Sequence, residues 1–391
     1  MGANRISAAR AVRTVDFPRK VPLFDLSRQG EQLGPGLAQR MAKVLEHGQF
    51  ILGPEVAELE TALASYVGVR HAIGVSSGRD ALIIALMALG VGPGDAVFIP
   101  ALTFSATAGA VVAAGGVPVF VDIDADTFNM SAEQLDQVIE RTRARGELRP
   151  KVVIPVDLYG LPADYDAIEA VARKHELIVM ADAAQSFGGA IGARRVGALG
   201  SISATSFYPT KPLGCFGDGG AIFTSDDDLA EAVRQIRSHG TKGSGDVAVR
   251  LGMTGRLDTL QAAVLLVKLE AFEERLAACR RIAACYDQAL AGLVRTPRTS
   301  NQFSSAWALY TIRVPNRDAL REAMARDDID TGLYYRVPLH RHPAFESYLT
   351  GGEKLPVSEQ LSDEVISLPI HPGLTDTDVD RVIEAVVRAV Q

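Results

Sequence analysis

Residues 71–89 read His-Ala-Ile-Gly-Val-Ser-Ser-Gly-Arg-Asp-Ala-Leu-Ile-Ile-Ala-Leu-Met-Ala-Leu. The apolar run from His71 to Val75 is short and continuous, which predicts a buried β-strand. The longer apolar run at residues 81–89 predicts a helix, and the polar turn at residues 76–80 between them contains a glycine. A strand that passes through such a turn into a helix is the repeating unit of an α/β domain.

The same alternation of short apolar strands and helices continues on both sides of this unit. Strands are predicted at residues 96–99, 118–121, 152–156 and 178–182. Helices are predicted to begin at Pro54, at Ser131 and near Asp164. Continuous apolar strands that alternate with helices are typical of a mostly parallel sheet covered on both faces. The sequence therefore predicts an α/β fold with a three-layer large domain.

After Gly220 the pattern loosens and predicts a second, smaller unit. Its predicted elements are helices at residues 226–237, 258–289, 317–326 and 376–390 and a strand at 307–314. The helix at 258–289 is long and rich in Ala and Leu, so it would link the two units. We therefore expect a flexible N-terminal extension at residues 1–20, a large domain at 21–255, and a linking helix with a small C-terminal α/β domain at 256–391.

Composition and charge exclude several classes of protein. The 391 residues carry 47 acidic and 40 basic side chains, whereas a nucleic-acid-binding protein would normally have a basic excess. No run reaches the roughly 18 apolar residues that span a bilayer, so no membrane association is expected. The three cysteines are too few and too unevenly placed for a disulfide framework, which favours a cytoplasmic location. No metal ligands are predicted.

The most informative stretch for function is residues 206–220, Ser-Phe-Tyr-Pro-Thr-Lys-Pro-Leu-Gly-Cys-Phe-Gly-Asp-Gly-Gly. Lys211 stands here between a strand and a glycine-rich segment, where backbone or ligand must approach closely. A desolvated lysine of this kind can form a Schiff base with an aldehyde cofactor. The alternatives are an incidental lysine in a surface loop and a dinucleotide-binding glycine motif. The latter is disfavoured because residues 221–224 continue as a strand instead of a helix.

A carboxylate ends the strand predicted at residues 178–182. Asp182 would point out of the carboxyl edge of the sheet, where α/β proteins bind ligands. A carboxylate suits a protonated pyridine nitrogen and makes a cofactor ring a better electron sink, although a helix N-cap is the alternative. The chain between Asp182 and Lys211 is long enough to bring them together from neighbouring strands. The pair favours a catalytic site.

A phosphate-binding site is predicted at the turn of residues 76–80. A helix N-terminus presents free N–H groups that bind phosphate, although a simply capped helix is the alternative. Ser206, five residues before Lys211, could reach the same phosphate. Phe104 could lie flat against a cofactor ring, or it could be an ordinary core aromatic residue.

In this order and together, the motifs make the chain similar to the sugar aminotransferases of the DegT/DnrJ/StrS group, within the aspartate aminotransferase fold type. The resemblance extends from about Val21 to the last helix. It is carried by Ser77-Gly78-x-Asp80-Ala-Leu, Pro100-x-x-Thr-Phe104, Asp157-Leu-Tyr159-Gly, Ala181-Asp182-Ala-Ala-Gln185, the Lys211 segment, Arg256-Leu-Asp-Thr-Leu-Gln-Ala-Ala263 and Tyr335-Arg-Val-Pro-Leu-His340. It implies a homodimer with shared active sites.

The resemblance also implies a cofactor, pyridoxal 5'-phosphate, which becomes pyridoxamine 5'-phosphate during turnover. Lys211 would carry it as a Schiff base and shuttle protons. Asp182 would pair with the pyridine nitrogen, and Gln185 would contact the ring hydroxyl. The other implied cofactor contacts are Phe104 stacked on the ring and, around the phosphate, Ser206, Gly78, Arg79 and, from the partner subunit, Thr254.

Two phosphate contacts depart from the family pattern. Arg79 stands where the family usually has Thr, and Thr254 stands where an Asn commonly reaches the phosphate. An arginine can replace a hydroxyl contact with a charged one. The implied substrate contacts are Arg256 near the dimer seam, for an anionic group, together with Tyr335 and His340, whereas Tyr334 replaces a common His.

The glycine-rich run after Lys211 resembles that of enzymes that aminate C3 of a keto-sugar on UDP or dTDP. The expected function is transfer of an amino group from glutamate to a nucleotide-linked 3-keto-sugar, in biosynthesis of an amino sugar for a surface polysaccharide or secondary metabolite. A sugar dehydratase is one alternative, although related dehydratases carry histidine in place of the lysine. A non-catalytic regulatory homologue is another, and it would be expected to lose Lys211 or Asp182.

Overall fold

A computed structural model describes residues 20–26, 34–243, 246–298, 300–349, 351 and 353–391. Apart from Lys20, the extension predicted at residues 1–20 lies outside the described residues. None of the helices in these ranges is long and apolar enough to cross a lipid bilayer.

The centre of the fold is a seven-stranded sheet. A small sheet of three short strands lies outside it. In chain order the first ten strands are β1 (His71–Val75), β2 (Asp95–Pro100), β3 (Val117–Val121), β4 (Arg149–Val153), β5 (Ile178–Asp182), β6 (Ala190–Ile191), β7 (Arg194–Arg195), β8 (Ile202–Ser206), β9 (Gly220–Thr224) and β10 (Phe303–Ser304). Strands β6, β7 and β10 form the small sheet. The order in the large sheet is β1-β9-β8-β5-β4-β2-β3, and β9 alone runs antiparallel to its neighbours.

Helices cover both faces of this sheet. They are α1 (Gly34–His47), α2 (Pro54–Val67), α3 (Gly78–Ala88), α4 (Ser105–Ala113), α5 (Ala132–Arg145), α6 (Tyr165–Lys174) and α7 (Asp227–Arg237). The two faces can be followed along β2, whose side chains alternate. Val97 and Ile99 pack with α3, α4 and α7, whereas Phe98 packs with α5 and α6 in a separate core. The predicted three-layer fold with a mostly parallel sheet is confirmed.

The C-terminal part is a smaller α/β unit. Its elements are α8 (Thr259–Glu270), α9 (Phe272–Leu290), β11 (Tyr310–Arg313), α10 (Arg317–Arg326), α11 (Pro356–Glu364), β12 (Val365–Leu368) and α12 (Asp376–Val390). Strands β11 and β12 pair antiparallel. Their apolar side chains share a core with α9, α10 and α12, and Val21 also packs there. The bounds 21–255 and 256–391 stay a prediction.

The linking helix differs from the sequence expectation. The single helix predicted at residues 258–289 is two helices, because Ala271 leaves the helical conformation with φ -102° and ψ 11°. The break lets α8 pack on α1 and α2 of the large domain, while α9 packs on α12 of the small one. The strand predicted at residues 307–314 is also shorter, since Trp307 has a left-handed φ of 50° and pairing begins at Tyr310.

The sheet topology explains how distant parts of the chain meet. Strands β1, β5 and β8 run in the same direction, so their carboxyl ends lie at one edge of the sheet. β1 ends at the turn before α3, β5 ends at Asp182, and β8 ends at Ser206 just before Lys211. This edge is where open α/β sheets bind ligands.

Candidate active site

One cavity at this edge brings most of the predicted site together. Its volume is about 730 Å³. The predicted residues that line it are Lys211, Asp182, Gln185, Ser206, Phe104, Gly78, Arg79 and Tyr335. The large unit and the smaller C-terminal unit therefore both contribute to the cavity, since Tyr335 follows β11 in the smaller unit.

Lys211 lies in a turn beyond the end of β8. Its backbone N–H donates to the carbonyl of Tyr208 at 2.8 Å. Burial disfavours the charged ammonium and lowers the pKa of Lys211 to about 8, while the carboxylate of Asp182 opposes this shift. At pH 7 about a tenth of the amine is then neutral. An amine in this state can act as a nucleophile and can carry a proton.

Asp182 is the last residue of β5 and is only 4% exposed. Burial raises the pKa of its carboxyl, but two hydrogen bonds and Lys211 favour the ionised form. Its Oδ2 accepts from the Thr107 hydroxyl at 2.8 Å, and its Oδ1 accepts from the Ala184 N–H at 3.2 Å. Because an ionised carboxylate only accepts, both donors suit a charged Asp182.

The start of α3 forms a seat for an anion. The Ser77 side chain caps the helix by accepting the N–H of Asp80 at 3.0 Å. First-turn N–H groups such as those of Gly78 and Arg79 have no partner within a helix. A Cβ added to Gly78 would lie 2.5 Å from the Cβ of Ser206, so glycine is required for the Ser206 hydroxyl to lie beside the helix end. N–H groups and a hydroxyl at a helix N-terminus are suited to phosphate.

Gln185 is held with its amide in one orientation. Its Oε1 accepts from the backbone N–H of Tyr159 at 2.9 Å, so its Nε2 must face the other way. Nε2 lies 3.2 Å from the hydroxyl of Tyr335, to which it donates. The amide donor is thereby directed into the cavity.

Two aromatic rings face each other across this region. Phe104 is 57% exposed although it is a large apolar residue, and its ring centroid lies 6.1 Å from that of Tyr335. Burial and the nearby Asp182 raise the pKa of Tyr335 above its ordinary value, so its hydroxyl stays protonated. Since Gln185 donates to that hydroxyl, the tyrosine proton is available to another acceptor.

Two predicted residues lie outside the cavity of their own chain. Thr254 pairs with Ser238 and Arg256 pairs with Val75 in isolated bridges. Within the described residues, the buried Nε of Arg256 has no hydrogen-bond partner. Both residues were predicted to act across a dimer seam, and those roles stay predictions.

His340 does not take its predicted place beside the substrate. It is buried in a short 3-10 segment, Leu339–Arg341, outside the cavity. Its Nε2 lies 2.9 Å from Oε1 of Glu359, and its ring lies 6.4 Å from that of Phe120. The contact with Glu359 and the packing hold the imidazole away from the cavity, so a direct contact with substrate is not expected in this arrangement.

The cavity also contains residues that were not predicted as ligands. Those with aromatic or polar side chains include Phe24, Thr103, Thr107, Tyr208, Thr210, Asp218 and Tyr334. Position within the stretch 206–220 would have indicated Tyr208, Thr210 and Asp218. The sequence had no comparable signal for Phe24, which reaches the site from the N-terminal end of the described chain.

A buried lysine with a lowered pKa, a buried carboxylate and a helix start suited to phosphate share one cavity, a combination typical of α/β enzymes that carry a cofactor on lysine. The chain belongs to the DegT/DnrJ/EryC1/StrS aminotransferase family, whose model matches residues 32–387. The resemblance noted in the sequence is thereby confirmed.

Three relatives illustrate the range of this family. The UDP-2-acetamido-2-deoxy-3-oxo-D-glucuronate aminotransferase of Pseudomonas aeruginosa is 44% identical over 92% of this chain and 97% of its own. The dTDP-3-amino-3,4,6-trideoxy-alpha-D-glucose transaminase of Streptomyces venezuelae is 40% identical, with 94% and 95% covered. A protein of Geobacillus stearothermophilus named pleiotropic regulatory protein is 43% identical, with 94% and 97% covered.

Solved structures share the fold over nearly the whole chain. A DegT DnrJ EryC1 StrS aminotransferase from Brucella abortus superimposes with a TM-score of 0.91 at 45% identity, covering 94% of this chain and 99% of that one. NtdA of Bacillus subtilis, solved with the bound cofactor PMP, has a TM-score of 0.83 at 30% identity, with 92% and 82% covered.

Proposed function

We propose that the protein is a pyridoxal-phosphate-dependent aminotransferase that moves an amino group from glutamate to C3 of a keto-sugar carried on UDP or dTDP. The observation that carries this proposal is the meeting of Lys211 and Asp182 in one cavity with the anion seat at the start of α3. Membership of an aminotransferase family supports the reaction class.

The residues of the cavity fit the cofactor group by group. The close approach of Gly78 to Ser206 leaves a helix start open to a phosphate. The buried carboxylate of Asp182 suits a protonated ring nitrogen, and the directed Nε2 of Gln185 suits a ring hydroxyl oxygen. When bound, pyridoxal phosphate supplies an electron sink that stabilises negative charge at carbon during transfer of the amino group.

Lys211 is the residue proposed to hold the cofactor and to move protons. A pKa of about 8 leaves part of the amine neutral near physiological pH. With the cofactor bound, the neutral amine would accept the proton of the donor's α-carbon and return it to a carbon of the cofactor, as general base and then general acid. Asp182 would keep the ring nitrogen protonated, and Gln185 would orient the ring hydroxyl.

The sugar and the nucleotide are proposed from the relatives and from the residues that line the cavity. Two of the three relatives described above are named for 3-oxo or 3-amino sugars on UDP or dTDP. Phe24, Tyr208 and Tyr334 supply aromatic surface to the lining, which suits the flat faces of sugar and base rings. The Nε of Arg256, which has no hydrogen-bond partner among the described residues, suits an anionic group of a substrate bound across a dimer seam.

We also propose a cytoplasmic homodimer with shared active sites. Large apolar side chains are exposed in two segments of the single chain, with Phe50 47%, Ile51 48%, Val247 74% and Leu251 86% exposed. Exposed apolar groups of this size commonly mark an interface. The second segment leads directly to Thr254 and Arg256, so a subunit that covers it would receive both side chains.

The test is transamination of a panel of 3-keto and 4-keto sugars, each on UDP, dTDP or GDP, with glutamate as donor. Formation of 2-oxoglutarate and of the aminated sugar should be largest for a 3-keto-sugar on UDP or dTDP. A Lys211→Ala protein serves as the inactive control. Turnover that prefers a 4-keto-sugar would contradict the assignment of C3, and binding of cofactor without turnover of any sugar would contradict the reaction.

A regulatory role is the second candidate, because one relative is named a regulatory protein. A purely regulatory homologue has no need of an amine with a lowered pKa beside a buried carboxylate, and both are present. Cofactor binding with no turnover of the whole panel would favour this candidate over catalysis.

A further inference from the structure

We propose that Thr107 is a positioning residue that keeps Asp182 ionised and aimed at the cofactor ring, an inference that rests on the proposed function. Thr107 lies in the first turn of α4 and is 1% exposed. Its hydroxyl donates to Oδ2 of Asp182 at 2.8 Å. The two side chains come from positions far apart in sequence, so α4 and β5 are joined at this point by a buried bond to a charged group.

The hydrogen bond from Thr107 opposes the effect that burial has on the charge of Asp182. A carboxyl as enclosed as that of Asp182 tends towards the neutral form, because burial penalises charge. A neutral carboxyl would not hold a proton on a pyridine nitrogen. Of the two donors to this carboxylate, the Thr107 hydroxyl is closer than the backbone N–H of Ala184, which lies at 3.2 Å. Thr107 is therefore the stronger local support for the ionised state.

The same turn of α4 also sets the position of Phe104. The backbone N–H of Thr107 donates to the Phe104 carbonyl at 3.2 Å, and Phe104 is the N-cap residue of α4. The side chain proposed to stack on the ring and the carboxylate proposed to pair with its nitrogen are thus both tied to Thr107. One residue links the two groups that would fix the ring plane.

Loss of the hydroxyl has a defined chemical consequence. A carboxylate with one donor fewer is more basic, so a proton shared between Asp182 and the ring nitrogen moves towards Asp182. The ring then carries less positive charge and becomes a weaker electron sink. Cofactor affinity through the phosphate should change little, because the anion seat at α3 is not involved.

The experiment compares Thr107→Val, which removes the hydroxyl at nearly constant volume, with Thr107→Ser, which keeps it. The holoenzymes are prepared with pyridoxal phosphate labelled with 15N in the ring, and its 15N chemical shift reports protonation without any sugar substrate. Thr107→Val should move the shift towards unprotonated nitrogen and lower kcat roughly tenfold with KM nearly unchanged. Thr107→Ser should retain both wild-type values.

The control is Thr142→Val, which removes another buried threonine hydroxyl, in α5, that donates to the Val138 carbonyl and lies outside the cavity. It should leave the 15N shift unchanged. A wild-type 15N shift in Thr107→Val, or an equal change in Thr142→Val, would overturn the role of Thr107. Should the valine variant not fold, Thr107→Ala makes the same comparison. A wild-type protein that binds no labelled cofactor would instead contradict the proposed function itself.

Discussion

Replacement of Arg79 by methionine is expected to weaken binding of the phosphate-bearing cofactor. Arg79 is the second residue of α3 and lines the cavity beside Gly78 and Ser206. Its guanidinium reaches towards α4, where one nitrogen lies 3.5 Å from the position that a Cβ would take on Gly109. It makes no hydrogen bond or ion pair with any residue that the structure describes. An unpartnered arginine beside a helix N-terminus is well placed for a phosphate.

The size of the effect follows from the exposure of this side chain. A hydrogen bond to a charged group contributes about 1.5–3 kcal/mol, but solvent weakens ion pairs at exposed positions. Arg79 is exposed, so the lower end applies. A loss of about 1.5 kcal/mol corresponds to a dissociation constant raised roughly tenfold. Arg79→Lys keeps the charge but not the bidentate geometry, so its loss should be smaller.

The assay is calorimetric titration of the cofactor-free protein with pyridoxamine phosphate and, separately, with pyridoxamine. Pyridoxamine phosphate has no aldehyde for Lys211 to attack, so the measurement reports non-covalent contacts alone. Arg79→Met should weaken the phosphate form and leave the phosphate-free form unchanged, while Arg321→Met, an exposed arginine on α10, should affect neither. Equal losses for both ligands, or no loss for either, would refute a phosphate contact.

Three further predictions test the site and its support. Lys211→Ala should fold and still bind the cofactor, but it should lose the visible imine absorption, labelling by borohydride and turnover. In the wild-type cofactor-free protein, the rate at which pyridoxal phosphate attaches should rise with pH and level off above a pH of about 8, because the amine of Lys211 has then lost its proton. Borohydride reduction that labels another lysine would contradict the assignment. Mixing inactive Lys211→Ala and Arg256→Ala proteins should restore partial activity through hybrid sites, and no recovery in demonstrably mixed dimers would count against shared sites. Asp157→Ala should lower the free energy of unfolding by about 3 kcal/mol or more in urea titrations, because its buried carboxyl accepts from three donors, Ala163, Tyr165 and Ser186. The control, Asp164→Ala, removes only the N-cap of α6 and should lower the free energy of unfolding by about 1 kcal/mol. An equal loss in the two variants would contradict the reasoning.

Local patterns were sufficient for most of the elements. The N-caps Ser131, Asp164 and Thr375 all accept first-turn N–H groups, because capping is a bond between residues three apart in the chain. The break at Ala271 was not predicted, since it depends on which helices α8 and α9 pack against and no breaker residue marks it. A predicted helix bound is reliable where the chain itself stops the helix, and unreliable where a neighbour does.

Some residues of the candidate site were likewise predicted from local sequence, whereas others depend on contacts between distant elements. Lys211, Asp182 and the turn at Gly78 were predicted because each lies at or shortly after the end of a strand, and parallel strands bring such ends to one edge. The hydroxyl of Thr107 was not predicted to bond Asp182, and His340 was expected in the cavity although it bonds Glu359. These contacts depend on side-chain directions between elements that are distant in sequence.

The sequence by itself determined the fold class, and it predicted which strand ends would form the site, with Lys211 and Asp182 as the candidate lysine and carboxylate. Those features depend on hydrophobic period and on residue type, which are properties of short segments. Only the tertiary structure decided that Gln185 turns its amide donor into the cavity and that, within the described residues, the buried Nε of Arg256 has no hydrogen-bond partner. Burial and hydrogen-bond direction are set by neighbours from several strands and helices at once, and no local pattern in the chain encodes them.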